Sequence, residues 1–137
     1  MSLRGEALLW MEEAKADLRH ARSSLSSGEY NWCCFAAQQG VEKALKALIM
    51  AQVRRRPPRG HDLVMLYSRL RRRPNLPEEI EEGLSELSAF YTVARYPNAG
   101  LERPSREINR AQAERALRVA EEVLKHVGEI FGTTRKG

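Results

Sequence analysis

Apolar residues recur along the chain at helical spacing in four long runs separated by turn residues. Over residues 6–26, Ala7, Met11, Ala14, Leu18, Ala21 and Leu25 alternate steps of four and three, the stripe of a bundle-facing helix. Ser26, Ser27 and Gly28 end it and favour a tight reversal, laying a second helix antiparallel beside the first. That second run, Tyr30–Val53, reads YNWCCFAAQQGVEKALKALIMAQV and is apolar or small on nearly every side. A helix of that kind must be wrapped by others. It is the rod around which the rest is organised.

RRRPPRG then stops the second helix, because two prolines exclude continuation and the arginines hold the loop in water. A short helix is expected over residues 62–71, with Leu63, Leu66, Tyr67 and Leu70 on one face and Pro74 closing it. Pro77 suits the first turn of a third long helix, where Glu78 and Glu79 sit near its positive end. Ile80, Leu84, Leu87, Tyr91 and Ala94 form its stripe before RYPNAG breaks it. Ser105 is the expected N-cap of the last helix, with Ala113, Leu117, Ala120, Leu124, Val127 and Phe131 buried and a frayed tail over 132–137. No stretch alternates as a strand. The expected fold is all-α: an antiparallel, up-and-down four-helix bundle in one domain, with one extra short helix between the second and third long helices.

Composition changes this picture little. A chain of 137 residues, 42% hydrophobic and 30% charged, fits one soluble domain burying roughly two-thirds of its unfolded surface. No apolar run approaches the roughly 20 residues of a membrane span, and the N-terminus has no signal-peptide core, so a cytoplasmic protein without membrane contact is expected. The only cysteines, Cys33 and Cys34, are helix neighbours poorly placed to bridge each other and read as reduced core residues.

Charge matters more. The net charge is +5, but residues 54–73 hold eight arginines and one acid, Asp62, which is +7 there and −2 elsewhere. Such a patch attracts phosphates or nucleic acid. Arginine outnumbers lysine 18 to 5, so coding bias or thermal adaptation is the competing explanation.

The candidate chemistry is narrow. His20, His61 and His126 are isolated from one another, and no histidine–carboxylate spacing of a zinc or di-iron bundle appears, so neither metal nor cofactor is expected. A phosphate loop and a nucleophile signature are both missing. Three elements remain. Gln39, Glu42, Lys43 and Lys46 fall at i, i+3, i+4 and i+7, one polar stripe that is either a wet helix edge or the floor of a site. Gly60-His61-Asp62 opens the short helix; one of its polar side chains caps that helix, or His61 works as acid or base. Tyr91-Thr92-Val93-Ala94-Arg95-Tyr96-Pro97 sets a guanidinium beside two rings at a helix end, able to hold a phosphate or carboxylate in a fixed fork.

These elements, in this order, resemble a HEPN domain (higher eukaryotes and prokaryotes nucleotide-binding). The matching stretches are Ala16-Asp17-Leu18, Tyr30 with Gln38 to Lys46 (QQGVEKALK), His61-Asp62-Leu63, and Tyr91 to Pro97 (YTVARYP). The resemblance implies a bundle that commonly forms a homodimer and is often paired with a minimal nucleotidyltransferase, in many cases as toxin and antitoxin. The family's nuclease motif is an arginine and a histidine with four to six residues between them, a metal-independent device in which histidine moves a 2′-hydroxyl proton and arginine steadies the phosphate. Counting on from Arg95, those positions hold Gly100, Leu101 and Glu102. Arg54, Arg55 or Arg56 with His61 matches formally, but before the short helix, where the motif is not expected.

The expectation is therefore a non-catalytic domain that binds a nucleotide or RNA phosphate, or a nucleotidyltransferase partner. Arg95 contacts phosphate, Tyr91 and Tyr96 shape the pocket with Gln39, and Lys43 and Lys46 add positive charge. The rivals are a ribonuclease using His61 with a nearby arginine, and a pure protein-assembly module.

Overall fold

The computed structural model describes residues 2–136, with side chains through Gly132. Six helices follow one another: α1 (Leu3–Ser26), α2 (Tyr30–Val53), α3 (Leu63–Ser68), α4 (Glu78–Val93), α5 (Pro104–Glu107) and α6 (Arg110–Lys136). No strand occurs among the described residues. The four long helices α1, α2, α4 and α6 make the expected bundle, α3 is the expected short helix, and α5 is a further four-residue turn.

Sixteen of the 24 residues of α2 are buried, and it packs against every other helix, most extensively α1 and then α6. Its apolar character on all sides is thereby explained. Gly40 lets α1 come close: a β-carbon there would stand 3.3 Å from the Ala14 carbonyl oxygen. At its far end Arg54 adopts a left-handed conformation (φ 58°) and donates its N–H to the Met50 carbonyl, so the helix is already terminated before Pro57 and Pro58.

Local chemistry sets the other ends. Ser2 caps α1 through Gly5 N–H, and Gly28 (φ +76°) turns the chain into α2. Asp62 accepts from Val64 and Met65 N–H and starts α3, so the capping role falls to Asp62 and not to His61. The expected Ser105 cap is not used. Pro104 and Ser105 lie inside α5, Ile108 takes an extended conformation, and α6 begins after Asn109. Asn109 and Gln112 exchange side-chain and backbone hydrogen bonds of 2.9 and 3.0 Å, a reciprocal capping box. The helix then runs to Lys136, past the expected end near Gly132; the side chains of 133–137 lie outside the described residues.

Two stripe positions also shift. Phe90, not Tyr91, takes the core position of α4, and Ser24 is more buried than Leu25 in α1. Tyr91 is left at the bundle's edge, half-exposed, where it meets the loop before α3. Cys33 and Cys34 are wholly buried and unbridged. Among the described residues no helix is long and apolar enough to cross a membrane.

Candidate functional site

The polar stripe of α2 is not a wet edge. Glu42 and Lys46 are both buried, and the Lys46 ammonium lies 3.1 Å from Glu42 Oε2. The other carboxylate oxygen, Oε1, lies 2.8 Å from His61 Nδ1 and accepts from Gln38 Nε2 at 3.2 Å. Gln38, which lies outside the stripe that begins at Gln39, has a second task. The same Nε2 reaches the His61 carbonyl at 3.2 Å, while Ser88 Oγ of α4 donates to that carbonyl at 3.4 Å and accepts Leu63 N–H at 3.0 Å. Gly60, at φ +113°, delivers the chain into this clamp. Residue 61 is thus pinned between α2 and α4 although it sits in a loop.

The contact is made by Nδ1, so the other ring nitrogen, Nε2, is not engaged by Glu42. The ring is partly exposed and stacks on Tyr91, centroids 3.5 Å apart and planes 17° from parallel. Tyr91 then leads to Arg95. The guanidinium carbon lies 4.3 Å from the Phe35 ring centroid, 4.7 Å from Tyr91 and 4.9 Å from Tyr96. Its Nε donates to the Tyr91 carbonyl at 2.8 Å. Among the described residues no carboxylate pairs with Arg95, so its two terminal nitrogens are uncommitted. An arginine fixed by its own helix and three ring faces, without a counter-ion, is set up to receive an anion.

The structure therefore brings together Gln38, Glu42, His61 and Lys46 in one hydrogen-bonded chain, and joins it through Tyr91 to Arg95 and Tyr96. Gln39 adjoins this chain, its Nε2 donating to Gln38 Oε1 at 2.8 Å. Lys43 is turned elsewhere and pairs with Asp17 of α1 at 2.7 Å. Lys46, locked on Glu42, neutralises the buried carboxylate. Phe35 and Ser88 are further contributors: with Trp10 and Trp32, Phe35 is more aromatic surface than a small bundle obviously needs inside and reads as either an interface or a core ring, and Ser88 reads as an exposed helix serine.

Of the arginine-rich loop, Arg56 is drawn to Glu6 of α1. Farther off, a groove between α4 and α6 is floored by Leu87, Phe90 and Val119, and its arginines, Arg115 and Arg118, are paired with Glu86 and Glu79. No group of three metal-ligating side chains occurs among the described residues.

Comparison with known proteins agrees with this arrangement of helices. No curated protein sequence matches the chain. Among solved structures, a protein of Thermus thermophilus is 40% identical, with TM-score 0.80, over 90% of this chain and 96% of that one. An archaeal HEPN homologue is 30% identical, with TM-score 0.74, over 91% and 97%. A HEPN domain protein from Thermotoga maritima is 30% identical, with TM-score 0.68, over 90% and 97%. The family model described as HEPN domain matches residues 7–130, nearly the whole bundle, and the chain belongs to the HEPN domain family.

Proposed function

We propose that this HEPN domain binds the phosphate of a nucleotide or RNA at Arg95, without cleaving it, as a homodimer that works with a nucleotidyltransferase partner in a toxin–antitoxin pair. The observation that carries the reading is the guanidinium on three aromatic rings with both terminal nitrogens free. A phosphate accepts two parallel N–H bonds from such a fork, and the rings around it exclude water and hold its plane. His61 and Tyr91 flank the same place. Gly100, Leu101 and Glu102 supply no histidine after Arg95, which is why the reading is binding. Titration with nucleotides and short RNAs at low and moderate salt tests it. Arg95→Ala is expected to weaken binding at least tenfold; equal binding, or none by the wild type, removes the site.

One observation favours a second reading, a metal-independent ribonuclease. Glu42 holds His61 through Nδ1 at 2.8 Å, an arrangement that leaves Nε2 for a general base, and both His61 and Arg95 lie on Tyr91. RNA incubated with metal-free protein separates the two. Cleavage that disappears in His61→Ala supports the enzyme; an intact strand bound by the wild type supports binding alone.

A further inference from the structure

The described residues expose two large aromatic side chains, Trp32 at 44% and Tyr96 at 52%. Tyr96 carries the guanidinium directly. Trp32 meets Phe35 edge to face at 6.1 Å, and Phe35 carries the guanidinium at 4.3 Å, so Trp32 lies within about 10 Å of the anion site. Beyond Phe35 the row continues to Tyr91 at 6.2 Å, and Tyr91 stacks on His61. Packing explains Phe35 and Tyr91, which are half-buried, but not an indole left open at the first turn of α2. From Trp32 to Glu42, the residue that holds His61, the helix axis advances about 15 Å. A stacked strand rises roughly 3.4 Å per nucleotide, so several nucleotides span that length.

We infer that Trp32 and Tyr96 are base-stacking subsites near the phosphate held by Arg95, and that the ligand of this face is a single-stranded RNA segment with accessible bases. The inference rests on the phosphate-binding reading above and adds what lies beside the phosphate. Stacking on exposed rings next to a cation is tolerant of base identity and excludes a duplex, whose bases present no open faces. The row has one strong charge and several π faces, the reverse of a surface that grips the backbone alone.

The test compares a short single-stranded RNA, the same ribose–phosphate chain without bases, the RNA duplex and inorganic phosphate. Trp32→Ala is expected to weaken the single strand about tenfold and leave the base-free chain unchanged, with Trp32→Phe retaining most of the affinity. With Trp10→Phe as background, Trp32 fluorescence is expected to be quenched by the single strand and not by phosphate. Unchanged affinity in Trp32→Ala, while Arg95→Ala still weakens binding, overturns the subsites and leaves the phosphate site standing. A change of oligomeric state in Trp32→Ala with unaltered RNA affinity overturns them in favour of a protein contact. No binding of any strand by the wild type overturns the subsites, and the phosphate reading falls with them only where nucleotides fail to bind as well.

Discussion

Glu42 accepts from three partners on two oxygens: Gln38, His61 and Lys46. Removing one member of a buried ion pair strands the other charge, at about 3–5 kcal/mol. Glu42→Ala is therefore expected to lower the unfolding free energy in urea by that order. Lys43→Ala, which breaks the less deeply buried contact with Asp17, should cost less. Equal losses would contradict the buried chain as described.

The cysteines allow a separate check. Burial pushes the Cys33 thiol up to about 11 and, with smaller help from Cys33 and Glu86, the Cys34 thiol up to about 12, from an ordinary 9.0. Both should resist a thiol reagent at pH 8 until the protein unfolds. A thiol whose folded value is raised stabilises fully below the unfolded value and loses that contribution as pH climbs toward the folded one. Stability should thus fall from about pH 9 to 11–12, and less steeply in a Cys33→Ala/Cys34→Ala variant.

At the scale of elements, α4 meets α6 where Gly83 leaves no room. A β-carbon there would stand 2.7 Å from Val119 Cγ2, and a β-branched side chain has little freedom to give way. Alanine gains about 1 kcal/mol of helix propensity over glycine, but overpacking costs about 1–3. Gly83→Ala is expected to be net destabilising, and rescued by Val119→Ala. Gly128, also within a helix, meets open space, so Gly128→Ala should stabilise by up to about 1 kcal/mol in the same denaturation assay.

The same scale explains what could be read from the chain. The bounds of α2 were legible because a helix buried on all sides is apolar throughout and its ends carry glycine, arginine and proline. The start of α6 was not, because Pro104 and Ser105 form a good helix start that serves only the single turn of α5. Tyr91 and Phe90 both satisfy the α4 periodicity. What decides between them is the loop residue His61, 30 positions away, which claims the tyrosine face. Arg95 was legible as a fork beside rings. Its link to Glu42 was hidden because Glu42 and Lys46 also satisfy the rule for an ordinary solvated helix pair.

For the whole molecule, charge and assembly are the relevant quantities. The +7 of residues 54–73 against −2 elsewhere makes the field lopsided, so association with RNA should be steered and strongly salt-dependent. Light scattering at micromolar concentration is expected to give twice the 15.6 kDa chain mass; a value of 15.6 kDa would rule out the homodimer. The measurement that bears most directly on the central claim is the slope of log Kd against log salt for a short single-stranded RNA, taken for wild type and Arg95→Lys. Lysine keeps the charge and loses the fork, so affinity is expected to fall about tenfold at every salt concentration while the slope stays unchanged. Superimposable curves for the two proteins would show that the guanidinium of Arg95 holds no phosphate.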